Sequence, residues 1–278
     1  MRKYLSFILL VALYSRSWGQ SYDRHVIDSI KSEGFIIYRL EAVSWKATDL
    51  LMKKEKDLLA GIKGYLSYLK GDSLVTIFYN NDPEPRVILT YRFESAENTG
   101  NVKKSKVNRQ PDLHEKELVK IREDALSRIN SDTTNFYRVY PNTSLNLVPV
   151  CYPTATLVFV LTGPTGSGMV PYGNDYVLYY SASGDFVKKA RLHYGYIPTS
   201  WVDPLGKSDL QAMHNHINSD YITSTDIANT LLYRKFIRWT ELVIVGREHT
   251  SIWNVRKNTL EVMTNMEYIN SGQKKSNK

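Results

Sequence analysis

Apolar and polar positions alternate along much of the chain, and helical spacing interrupts them in a few places. Near the start, FIIYRLEAVSW (35–45) is rich in β-branched and aromatic residues and predicts a strand. The following KATDLLMKKEKDLLAGIKG sets Leu50, Leu51, Leu58 and Leu59 among charges, which predicts a helix ended by Gly61 or Gly64. YLSYLKGDSLVTIFYN then alternates on either side of Lys70-Gly71-Asp72, a hairpin pattern, and RVILTYRFE (86–94) adds a third strand after DPEP. From Ser95 to about Pro111 apolar content collapses, which predicts a linker or long loop. Pro111 and Asp112 open a helix whose Leu113, Leu118, Ile121, Leu126 and Ile129 share one side.

The second half is richer in strands: LNLVPVCY, ATLVFVLTG, DYVLYYSASGDFVKKARLHY, LVIVGREHTSIWNV and TLEVM. Turns are expected at SASGD (181–185) and RKN (256–258), and one helix at 225–237. Helices and strands are segregated rather than strictly alternating, so the fold class predicted is α+β, with mixed or antiparallel sheets and a few helices. The expected organisation is a leader over 1–19, an α/β unit over 20–95, a linker over 96–111, an α+β domain over 112–267 and a flexible basic tail over 268–278. LTGPTGSGMVPYGNDY (161–176) has glycines after a strand, but neither a Gly-Lys-Ser/Thr ending nor a helical period follows. It predicts a mobile loop between strands rather than a phosphate cradle.

The leader changes where the chain is expected to work. Arg2 and Lys3 precede a short apolar run from Tyr4 to Tyr14, and Ser17 and Gly19 are the small residues expected before a cleavage point. The run falls short of the ~20 residues needed to span a bilayer. The chain therefore reads as exported, soluble and periplasmic, cell-surface or secreted after cleavage near Gly19, with no transmembrane segment afterwards. Cys151 is the single cysteine, so the chain forms no internal disulfide. Its apolar setting in PVCYP predicts a buried thiol rather than a nucleophile. Loss of Arg2, Lys3 and Arg16 with the leader lowers the formal charge from +8 to +5. The basic residues cluster in NVKKSKVNR and the tail, apart from the 20 tyrosines. That separation argues against nucleic acid as a partner. An envelope polymer or a peptide remains the partner class.

Candidate chemistry concentrates in AMHNHINSDYITSTDIANTLLYRKF (212–236). If LQAMHNH ends a strand, His214 and His216 point to one face, because side chains alternate with period two. Asp226, in the first turn of the next helix, would bring a carboxylate to the two imidazoles. Three protein ligands and a water is the arrangement of a catalytic zinc site. Thr223 to Asp226 also has capping-box spacing, and that alone accounts for Asp226. His193 and His249 lie near strand ends, within reach of the site but readable as satisfied strand-edge residues.

The His-x-His, short loop and Thr-x-x-Asp series, followed by WTELVIVGREHTSIWNV, resembles the core of the JAB/MPN metalloprotease superfamily over about residues 205–256. The resemblance implies an MPN-like fold in the C-terminal half, zinc held by His214, His216 and Asp226, and Thr223 as an oxyanion or positioning residue. The chain departs from the family pattern at Ile217, where proline is usual, and its loop is one residue shorter. It also has no glutamate between Glu123 and Glu241 to act as the family's base. Asp175, in YGNDY, is the nearest substitute for that base. The same stretch, with VLTGP and GNDYVLYY before it, resembles a group of exported bacterial proteins of unassigned function. Two functions follow as expectations. One is a non-catalytic envelope or secreted binding protein, its tyrosine-rich strands offering a recognition surface. The other is a zinc-dependent hydrolase of the peptidase or amidase type.

Overall fold

The computed structural model describes residues 23–202 and 211–276. The expected leader and its cleavage point lie outside the described residues. Among those described, no helix is long and apolar enough to cross a membrane.

Helix α1, Arg24–Lys54, contains the whole of FIIYRLEAVSW, so the strand expected at 35–45 is helical instead. Its buried positions Ile27, Gly34, Ile37, Glu41, Ser44, Ala47 and Leu51 recur at steps of three, four or seven, a helical stripe. Tyr38, Leu40 and Val43 are buried as well, because a second helix covers one side of α1 and strands cover another. Burial on two sides packs the segment with apolar residues, and that density mimics a strand. Asp23 caps the helix, accepting from the His25 N–H at 2.9 Å. Leu58 and Leu59 fall beyond α1, in a short 3₁₀ turn from Lys56 to Gly61.

Strands β1 (Ile62–Lys70), β2 (Ser73–Asn80), β3 (Val87–Phe93) and β4 (Val102–Arg109) form an antiparallel sheet in chain order. The segment expected to be a linker thus supplies an edge strand. Its polar composition follows from that position, since edge strands carry charge that discourages further pairing. Lys104 and Lys106 also reach the Glu55 carboxylate at 2.6 and 2.7 Å. Helix α2, Leu113–Asn130, begins with a capping box between Asp112 and Glu115.

Strands β5 (Thr143–Tyr152), β6 (Ala155–Pro164), β8 (Tyr176–Ser181) and β9 (Phe186–Arg191) make a second antiparallel sheet, in the order β5-β6-β8-β9. Between β6 and β8 the glycine-rich stretch forms β7, Met169–Gly173, which pairs with β10, Tyr196–Ser200. The mobile loop expected there is therefore partly a paired strand. A third sheet has the order β11 (Gln211–Asn215), β12 (Glu241–Val245), β13 (His249–Asn254), β14 (Thr259–Thr264), with β11 parallel to β12 and the rest antiparallel. Helix α3, Ser224–Tyr233, leads from β11 towards β12, and α4, Asn265–Ser276, is helical where a flexible tail was expected. The architecture is α+β.

One buried cluster joins Ile37 and Val43 of α1, Phe78 of β2, Phe159 of β6, Ile227 and Leu231 of α3, and Trp253 of β13. The segments either side of 96–111 share this core rather than owning separate ones. Tyr79, Tyr91, Tyr172, Tyr176 and Tyr180 are fully buried, with Tyr79 hydroxyl donating to Glu123 and Tyr180 hydroxyl to Asp124. These tyrosines build interior, and a recognition surface cannot be made from them. Cys151, in contrast, is exposed on β5: it follows the buried run Leu147 to Val150 and points outward.

Helices α1 and α3 meet at Gly34, where an added Cβ would lie 2.8 Å from the Ile227 Cβ and 2.9 Å from the Ser224 carbonyl oxygen. One of those atoms is backbone, so the contact cannot relax by a rotamer change. Gly34→Ala is expected to lower unfolding stability by about 1–3 kcal/mol despite alanine's better helix propensity. Urea unfolding of the two proteins measures it, and an unchanged or raised midpoint would contradict the close approach.

Candidate metal centre

In β11, His214 pairs in register with Ile244 of β12 and turns inward, while its neighbour Met213 is half exposed. His216 continues the line: its N–H donates to the Val245 carbonyl at 2.9 Å. Both imidazoles therefore face the same side, as the period of two requires, and their Nε2 atoms stand 3.2 Å apart. The chain then turns and enters α3 at Thr223.

Asp226 caps the helix and also faces the imidazoles. Its Oδ2 accepts from the Thr223 N–H at 2.9 Å and from the Thr223 hydroxyl at 2.7 Å, which completes the capping box. Its Oδ1 is buried without a hydrogen-bond partner. That oxygen lies 3.4 Å from His214 Nε2 and 3.5 Å from His193 Nε2, and Oδ2 lies 3.2 Å from His216 Nε2.

His193 is the member the sequence did not single out. It sits in the short connection between β9 and β10, and its Nε2 is 2.9 Å from His216 Nε2. Its only sequence signal is a histidine just past a strand, 21 residues before His214. No ligand spacing covers that gap, because β10 and the chain up to β11 fill it.

Asp175 lies behind His193, with Oδ2 3.4 Å from His193 Nδ1, the ring nitrogen turned away from the centre. Its Oδ1 accepts from the Thr162 N–H at 3.3 Å. The carboxylate expected as a base thus backs a histidine and does not face the point where the Nε2 atoms converge. Thr223 is likewise occupied, since its hydroxyl proton goes to Asp226 and none is left for an oxyanion. Other contacts brace the ligands: His216 Nδ1 meets the Tyr221 carbonyl at 2.8 Å, and the Tyr172 ring lies 5.3 Å from the His214 ring. Tyr172 also shares a 2.7 Å hydrogen bond with Thr230, whose hydroxyl donates to the Asp226 carbonyl. The tight turn at Gly173 has φ +73°, and a Cβ there would overlap the Gly195 carbonyl, so glycine lets the His193 loop close down.

His193, His214, His216 and Asp226 are all buried and form a group that could hold a metal ion. With Asp226 Oδ1 as the fourth donor, four of the six edges between donor atoms measure 2.9, 3.2, 3.4 and 3.5 Å. Zinc with ligands at ~2.0–2.1 Å in a tetrahedron requires edges of about 3.3–3.4 Å. The donor set therefore fits a small tetrahedral cation. No family model, curated protein or solved structure matches this chain. The geometry of the site carries the functional argument by itself.

Electrostatics favour a cation here. Burial alone would lower the His193 pKa, but the Asp226 and Asp175 carboxylates raise it to about 10. Burial would raise the Asp226 pKa, yet the neighbouring His193 and His216 charges hold it well below the usual carboxylate range. Burial also pushes Asp175 up, with His193 partly offsetting it. The buried Asp226 carboxylate thus calls for positive charge among the imidazoles, which a divalent ion would supply.

A cavity of about 190 Å³ borders the centre, lined by Leu192, His193, Tyr194, Ile197, His216 and Asn218. A larger one, about 590 Å³, lies elsewhere, between Pro83, Pro85, Pro111 and the outer side of α2. It has no convergent polar groups of the kind found at the histidines. Among the described residues a second ligand-type group, Asp220, Glu248 and His249, works as a loop brace. Asp220 accepts from the Glu248 and His249 N–H groups at 2.7 and 3.2 Å and meets His249 Nδ1 at 2.6 Å.

Proposed function

We propose that the protein is an exported metal-binding protein that holds one zinc ion through His193, His214, His216 and Asp226 in a non-catalytic role. The observation that carries this reading is the near-tetrahedral set of donor separations, with an orphaned Asp226 oxygen among the imidazoles. Imidazole and carboxylate donors suit zinc, whereas calcium and magnesium prefer all-oxygen shells. Four protein ligands leave no position for water, which is the mark of a structural rather than a catalytic zinc site. The ion would tie together three elements far apart in sequence: the β9–β10 connection, the end of β11 and the start of α3. When bound, zinc supplies charge and cross-linking. The Tyr221 carbonyl behind His216 fixes that ring's orientation, as outer-shell carbonyls do for ligating histidines.

The hydrolase alternative needs a carboxylate on the open side of the ion. Asp175 stands on the closed side, behind His193, and the metal-ligand group contains no second acid. Loss of proton transfer typically costs 10²–10⁴-fold in rate, so a hydrolytic reading has no group to carry that step. The leader supports export, and an envelope polymer or peptide would be a partner of the surface rather than of this centre.

Metal analysis tests the reading. Purified protein, stripped and then reconstituted with zinc, is expected to hold one equivalent after gel filtration, and His214→Ala is expected to hold much less than one. Equal zinc in both proteins, or none in the wild type, would overturn it.

A further inference from the structure

The four ligands are not held equally. His216 is pinned at both ends, its N–H to the Val245 carbonyl and its Nδ1 against the Tyr221 carbonyl. Asp226 is fixed by the capping box at the head of α3. The Nδ1 of His214 has no partner, but its backbone is in strand register with β12 and its ring rests against Tyr172. His193 stands on a short connection, outside any helix or strand. Its Nδ1 faces Asp175 at 3.4 Å, beyond ordinary N–H···O reach, and neither atom has a hydrogen-bond partner. The 190 Å³ cavity touches the centre at His193 and His216, and Leu192 and Tyr194 of the His193 connection form one of its walls.

Resting on the metal reading above, we propose that His193 is an exchangeable ligand and that the adjoining cavity admits a small oxygen-donor anion, of the carboxylate or hydroxamate class, in its place. With His193 turned away, the other three donors carry one negative charge against two positive, so the open corner favours an anion. Asn218 lines the cavity and brings an amide group suited to donate to the free oxygen of such a ligand, while Leu192, Ile197 and Ile217 give its apolar side. The volume matches about six waters at ~30 Å³ each, room for an acetate- or hydroxamate-sized group and not for a folded polymer. A centre closed at rest would thereby become a binding site for a small metal-coordinating anion.

The test uses the full mature protein loaded with cobalt(II), whose visible absorption reports coordination, and acetohydroxamate as the probe. Wild-type protein is expected to give a saturable spectral change while keeping its cobalt through gel filtration. His193→Gly is expected to bind acetohydroxamate about tenfold more tightly, because the competing imidazole is gone. Added imidazole should restore the wild-type spectrum to that variant by filling the vacated corner. A wild-type spectrum indifferent to acetohydroxamate, or cobalt stripped away instead of a ternary complex, would show a sealed structural site and overturn the proposal while leaving metal binding intact. Failure of the wild type to take up cobalt at all would sink metal binding and the exchange together. If His193→Gly does not fold, the wild-type titration still decides.

Discussion

Zinc is expected to raise the unfolding midpoint of the wild-type protein, and Asp226→Asn is expected to abolish that rise. A ligand that binds only the folded state stabilises it by about 4 kcal/mol at a thousandfold excess over its Kd, and the four donors are brought together only by folding. Asparagine preserves the shape of the side chain, and its carbonyl oxygen can still accept from Thr223. It removes the single negative charge among the four ligands, and its amide hydrogens would face the imidazole nitrogens. In metal-free protein the same change leaves His193 without its strongest counter-charge, and breaking a buried pair in this way costs about 3–5 kcal/mol. Asp175→Asn is the milder comparison, since it alters only the group behind His193. With no hydrogen bond from Asp175 Oδ2 to His193 Nδ1, it is expected to weaken zinc binding by no more than about tenfold, the low end of outer-shell changes. Thermal unfolding with zinc and with a chelator measures all of these. A zinc-dependent rise of equal size in wild type and Asp226→Asn would remove Asp226 from the centre.

The parts of this centre that could be read from the chain are those set by local geometry. His214 and His216 are two residues apart on a strand, and Thr223 and Asp226 are three apart at a helix start, so the backbone itself brings each pair together. The sequence offered capping and ligation as rival explanations of Asp226. In the structure Oδ2 makes the cap while Oδ1 faces His193 and His214, so one carboxylate is placed for both, which spacing alone does not encode. His193 was read as a strand-edge histidine within reach of the site rather than as part of it, because its place depends on tertiary contacts: the β7–β10 pairing, Gly173 beneath Gly195, and the Asp175 carbonyl accepting from the Leu192 N–H. Similar reasons explain the misread elements. Residues 35–45 look strand-like because α1 is covered on two sides, and 102–109 look unstructured because an edge strand is polar by necessity. Cys151 was placed inside on the apolar character of PVCYP, but it falls just past the buried run Leu147 to Val150, near the end of β5.

A second large effect is expected from Glu41, far from the histidines in the chain and buried on α1. Its Oε1 accepts from Trp45 Nε1 at 2.7 Å and from Asn146 Nδ2 at 2.8 Å, while Oε2 is buried with no partner. Arg122 of α2, Tyr65 of β1 and Tyr233 of α3 are the other ionisable groups coupled to it. Burial raises its pKa to about 7, against the lowering effect of the Trp45 and Asn146 hydrogen bonds and of Arg122. For an acid shifted upward, the folded state holds its proton at pH values where the unfolded chain has released it. The contribution to stability is therefore fully present below about pH 4.5, declines as pH rises towards 7 and is gone above it. A shift from 4.5 to about 7 corresponds to about 3 kcal/mol. Glu41→Gln mimics the protonated side chain and does not titrate, so its stability relative to wild type should grow by about that amount between pH 4.5 and pH 8. Urea unfolding of both proteins across this range, with chelator present to silence the metal centre, isolates the group. A constant difference between them at every pH would mean that Glu41 is charged in the folded protein at neutral pH, and that the neighbouring Arg122 guanidinium outweighs its burial.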